Sequence, residues 1–72
     1  DLDLLIDKYE IENGDISINI EEYSIEKSFK KRYIAEFEYQ SVQYQLKGIM
    51  EKEEFEKIVK NLFFVKNGVS IK

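Results

Sequence analysis

The sequence predicts an α+β domain: an antiparallel sheet of two hairpins with one C-terminal helix packed on one face. Three observations carry this expectation. Residues 8–21 and 33–48 each alternate apolar and polar side chains around a central turn signal. Residues 51–63 then change period, with Phe55, Ile58, Val59, Leu62 and Phe63 recurring at helical spacing. Finally, 72 residues of 43% hydrophobic content suffice for one core, so the whole of 1–72 is a single domain.

In the first hairpin, Asn13 and Gly14 are the expected loop, because both accept the positive φ of a type I′ turn. Ile11 then faces Ile16 and Tyr9 faces Ile18. That register sets Glu12 opposite Asp15, a like-charge pair that a longer loop over 12–15 would relieve. Leu2, Leu4 and Ile6 alternate in the opposite phase to Tyr9 and Ile11. A bulge or break near Asp7 and Lys8 must separate the two sets. Residues 22–32 read as a connection with Ile25 and Phe29 tucked beneath it.

In the second hairpin Gln40 and Ser41 form a two-residue turn. Tyr39 pairs with Val42, Phe37 with Tyr44, and Ala35 with Leu46, so both arms bury one side. The aromatic row is therefore the inside of a sheet, with Glu36, Glu38, Gln43, Gln45 and Lys47 on a wetted face. The helix follows, with Glu51, Glu53 and Glu54 at its start and Lys57 and Lys60 near its end, as the helix dipole favours. Residues 64–72 are either an added strand after an Asn67–Gly68 turn or a tail.

Composition removes several function classes. The chain has no cysteine and no histidine, which excludes disulfides, the common zinc sites and Ser-His or Cys-His nucleophiles. Its three glycines are isolated, so there is no phosphate-binding loop. Asp1, Asp3 and Asp7 lack the central glycine and closing glutamate of a calcium loop, and read as an acidic edge strand that resists pairing. Glu36 and Glu38 share a strand face, but an open face offers no enclosed site for acid/base work. The expectation is no enzyme activity, no cofactor and no metal.

Net charge is −4, unevenly spread. Residues 1–26 hold nine acids against Lys8 alone, whereas residues 27–32, "KSFKKR", hold four bases and no acid. One short basic run in an acidic chain does not make a nucleic-acid face. It reads as a solvated loop, or as a contact for an acidic partner or lipid headgroups. The longest apolar run, Leu62–Val65, is far below membrane-span length.

The stretch "VQYQLKGIMEKEEFEKIVKNL" resembles the C-terminal part of the domain of unknown function 4367 family. Tyr44, Leu46 and Gly48 match a strand of the form Y-x-L-x-G. Glu53, Glu54, Phe55, Lys57 and Ile58 match the helix that follows it. Tyr39 stands where a tryptophan is common, and "YEIENGDISI" is similar to the family's first hairpin. Two departures stand out: Glu51 replaces a Ser-type helix cap, and the connection between the hairpins is short.

The resemblance implies an extracytoplasmic domain that follows a single transmembrane segment in Gram-positive bacterial proteins, some with an anti-sigma-factor region. It brings no catalytic residues. A start at Asp1 fits a fragment of a longer protein. The expected function is sensing or protein interaction at the cell envelope, through the sheet face bearing Glu36, Glu38, Gln43 and Gln45 or through an exposed edge strand. The alternative is a cytoplasmic, acidic inhibitor or antitoxin-like protein that presents hairpin 7–22 to a basic surface. Self-association through the apolar "LDLLI" edge is a third expectation.

Overall fold

Alternating apolar and polar side chains set the first two-thirds of the chain into strands. The structure, a computed structural model, describes residues 4–25, 28–65 and 68–71. Strands β1 (Leu4–Asn13), β2 (Ile16–Ser24), β3 (Lys31–Tyr39) and β4 (Val42–Met50) form one antiparallel sheet in the order β1-β2-β3-β4. Helix α1 (Lys52–Lys60) packs on one face, against β1, β3 and β4. Strands β5 (Leu62–Val65) and β6 (Gly68–Ile71) pair as a separate small hairpin. The fold is α+β, as expected. The C-terminal stretch is a strand pair and not a tail.

The core lies between the sheet and this covering layer. Ile11, Ile18, Ile20, Tyr33, Ala35 and Phe37 supply the sheet side, and Phe55, Val59 and Leu62 the other. Each large side chain buried there contributes about 1.5–3 kcal/mol. Tyr33 stacks on Phe55 with ring centroids 5.0 Å apart. Its cross-strand neighbour is Gly48, where an added Cβ would come 2.6 Å from the Met50 Cε and 3.7 Å from the Phe55 ring. The aromatic row is thus core along β3, while on β4 Tyr44 and Leu46 are half-buried and Val42 is exposed.

The second hairpin has the expected register, from Tyr39 opposite Val42 to Ala35 opposite Leu46. Gln40 and Ser41 both take positive φ, 53° and 65°, as a type I′ turn requires. The first hairpin differs. Its loop is Gly14–Asp15, so Asn13 pairs with Ile16, Ile11 with Ile18 and Tyr9 with Ile20. Only Gly14 takes positive φ, at the first central position of a type II′ turn. This register separates Glu12 from Asp15, and Glu12 instead accepts a hydrogen bond from Ser17 at 3.0 Å.

The expected ladder irregularity is present, between Leu5 and Asp7. Two further expectations are corrected. Helix α1 stops at Lys60 and not at Phe63: the Asn61 side chain caps the Lys57 carbonyl at 2.7 Å, and Leu62 opens β5. Phe63 is consequently exposed, whereas Phe64 packs against Phe37 and Tyr39. Phe29 is not tucked in but 98% exposed. Leu2, Asp1, Asp3, Lys27 and Asn67, all named in sequence-based expectations, lie outside the described residues.

At the helix start, Glu54 accepts the Glu51 N–H at 3.3 Å, so a glutamate three residues on serves the end that lacks a Ser-type cap. At its far end, the Asn13 amide donates to the carbonyls of Val59 and Leu62, at 3.0 and 3.2 Å. One side chain from the last residue of β1 thereby ties the first hairpin to the helix end and to β5.

Candidate functional site

The sheet face away from α1 is open among the described residues, and cross-strand register orders it in rows. Leu5, Tyr23, Arg32 and Ile49 form one row across all four strands. Lys8, Glu21, Ile34 and Lys47 form the next. Glu10, Asn19, Glu36 and Gln45 form the third, beyond which come Glu12 with Ser17 and Glu38 with Gln43. Alternation makes the pattern: every residue in these rows is out of phase with the buried set. The result is a face graded from mixed apolar and basic at one end to polar and acidic at the other.

All four expected partner-binding residues are exposed in the polar half of this face. Gln45 donates to Glu36 at 2.9 Å, and Gln43 donates to Glu38 at 3.3 Å. The amides are held beside the carboxylates by cross-strand pairing. Ser17, Asn19, Glu36, Glu38 and Gln43 border an open depression of about 330 Å³. Chemically this is a row of acceptors with accessible amide donors, suited to hydrogen bonding with a partner surface.

The covered face holds a polar cluster that sequence reasoning missed. Glu22 is buried, 8% exposed, with the Lys52 ammonium 3.9 Å away. The same ammonium lies 4.8 Å from the centroid of the Tyr9 ring. Tyr9 donates to Glu56 at 3.0 Å. Burial first, then the charge and hydrogen bonding of Glu22, push the Tyr33 hydroxyl up to about 12. Burial first, then the bond to Glu56, also raise Tyr9. A signal for this cluster existed: Glu22 continues the inward phase of Ile16, Ile18 and Ile20. Because the cluster's groups satisfy one another beneath the helix, they hold the fold together.

Among the described residues no three acidic side chains converge to hold a metal ion, and no helix is long and apolar enough to cross a membrane. No curated protein and no solved structure matches the chain. A family model does match, over residues 2–62, described as Domain of unknown function (DUF4367). The structure gives the shared pattern a physical basis. Tyr44 and Leu46 pack from β4 against the core, and at Gly48 the Met50 methyl, 2.6 Å from where a Cβ would stand, leaves no room for a side chain, with the Phe55 ring 3.7 Å away. With the match spanning the four-stranded sheet and the helix, the chain belongs to the DUF4367 family.

Proposed function

We propose that this domain is a non-catalytic sensory or protein-interaction module that works outside the cytoplasm and is linked to cell-envelope signalling. Its partner docks on the polar half of the open sheet face. The observation that carries this reading is the ordered, exposed set of Glu36, Glu38, Gln43 and Gln45 on a face that no other described element covers. The cellular location and the link to anti-sigma-factor regions rest on the family's implied architecture. Self-pairing along β1 ranks below this reading, because the irregularity between Leu5 and Asp7 interrupts the ladder a second copy would extend.

A second reading has its own support. Glu10, Glu12, Glu36 and Glu38 gather on one half of the face, as an acidic inhibitor of a basic protein would need. Affinity capture from envelope and cytosolic extracts separates the two readings, with a Glu36→Lys, Gln43→Lys variant as control. An envelope partner retained at high salt and lost with the variant supports the interaction module. A cytosolic basic partner released by salt supports the inhibitor, since exposed charges then carry the binding. A partner indifferent to both variant and salt rules out this face.

A further inference from the structure

The two edges of the main sheet differ. Strand β1 carries Asp7, Lys8, Glu10 and Glu12, and its ladder is irregular between Leu5 and Asp7. Charges and irregularities of this kind discourage pairing with another chain. Strand β4, "VQYQLKGIM", holds one charged residue, Lys47, and its ladder with β3 runs unbroken from Val42 to Met50. Among the described residues β4 pairs with β3 alone, so its outer edge is unpaired. A two-residue turn closes on a hydrogen-bonded pair, here Tyr39 and Val42. Alternation then turns the N–H and C=O of Gln43, Gln45, Lys47 and Ile49 outward. Apolar surface accompanies this edge. Val42 and Ile49 are 49% and 53% exposed, and an open depression of about 150 Å³ lies between Tyr44 and Leu46 of β4 and Leu62 and Val69.

We propose that β4 pairs antiparallel with β4 of a second copy, about a two-fold axis at Leu46, joining two four-stranded sheets into one. Self-complementarity selects a second copy over a foreign strand. Full overlap of Val42–Met50 with itself centres on Leu46, and each outward-turned residue then meets another, Gln43 with Ile49 and Gln45 with Lys47. On the covered side Leu46 meets Leu46, Val42 meets Met50, and Tyr44 meets Gly48 with the Met50 that folds over it. On the open face, Lys47 takes part in none of the ion pairs among the described residues. In the dimer it extends the row of Glu36 and Gln45 of the other copy, so an acid row gains a base. The covering elements alternate too. Phe64 and Val69 of the β5–β6 hairpin lie by Tyr39, Tyr44 and Leu46, whereas Phe55 of the helix lies by Gly48. Antiparallel pairing sets the hairpin half of one copy beside the helix half of the other. The β1 edges stay outermost, and their charges stop further growth. The open face remains uncovered, and the pairing does not depend on the docking partner proposed above.

Sedimentation equilibrium of the chain over a concentration series tests this. A reversible monomer–dimer equilibrium with no larger species is expected. Gln45→Pro removes an outward donor without touching the β3 ladder and should abolish the dimer. Glu10→Pro makes the same change at the β1 edge and should leave the dimer intact, with circular dichroism checking that both variants fold. Gln45→Lys sets like charges together at both Gln45–Lys47 contacts and should weaken association roughly fivefold; adding Lys47→Glu should restore it. The chain has no cysteine, so Leu46→Cys supplies one thiol per copy and should cross-link on the axis under mild oxidation, much faster than Gln45→Cys. A chain that stays monomeric to its solubility limit, open-ended aggregation, or equal loss from both folded proline variants overturns the proposal. So does faster cross-linking of Gln45→Cys than of Leu46→Cys. Protection of β4 amides from exchange only when a captured partner is added would give the edge to a foreign strand, and also overturns it.

Discussion

Asn13 shows how far one residue's role can depart from its local preference. As part of an Asn-Gly pair it marks a turn, and a turn is there. Its amide, however, is used on Val59 and Leu62, across the core from its own hairpin, and the loop shifts by one residue to leave it in β1. Local propensity places the turn; a contact distant in sequence sets its register. Asn13→Ala should cost about 1–2 kcal/mol in a denaturation experiment. Asn13→Asp should cost more, because a carboxylate would face two carbonyls without a donor. Gln40 and Ser41 give a prediction of opposite sign. Both hold positive φ without being glycine, so Gln40→Asn with Ser41→Gly should stabilise by roughly 1 kcal/mol. Tyr33 adds a pH dependence. Its folded pKa is raised to about 12 from an ordinary value near 10. The native state therefore holds its proton more tightly than the unfolded state. The associated stability is fully present below pH ~10 and is lost as pH climbs toward ~12. Chemical denaturation across that range should show a shallower decline for Tyr33→Phe than for the parent chain.

At the scale of elements, the reliability of the sequence pattern followed the length of its repeat. The second hairpin alternates without interruption from Tyr33 to Leu46, and its register and turn are as the pattern demands. The helix stripe was legible in Phe55 and Val59 but extended too far. Leu62 fits a helical period and also the start of a strand, and periodicity alone does not separate the two. The outcome rests on Asn61, whose side chain closes the helix, and on Phe64, which finds Phe37 and Tyr39. Phe64→Ala should cost about 2–4 kcal/mol and speed hydrogen exchange in β5 and β6 before the main sheet. Phe63→Ala should cost less, since that side chain is 45% exposed. An equal or larger loss from Phe63→Ala would mean that the helix runs on past Lys60. Phe29 was misplaced for a related reason. Outside a periodic segment nothing in the sequence states which way an apolar side chain faces.

At the scale of the whole molecule, one sheet separates a covered face from an open one, and the open face is divided along its length. Alternation made the first division legible: Glu36, Glu38, Gln43 and Gln45 were assigned to the wet side by phase alone. The second division was not legible, because it depends on which residues fall into the same cross-strand row. The bulge between Leu5 and Asp7 brings Leu5 into the row of Tyr23, Arg32 and Ile49, and no local pattern fixes that alignment. The polar half is the proposed protein-docking surface. Glutamates on both sides of the sheet allow this to be tested by one method. Carboxyl footprinting, with carbodiimide and an amine label, should be run on the domain alone and with its captured partner. If the open face is the docking surface, labelling of Glu36 and Glu38 falls on complex formation while that of Glu53 and Glu54 on the helix is unchanged. Protection of the helix glutamates with Glu36 and Glu38 still fully labelled would contradict the account.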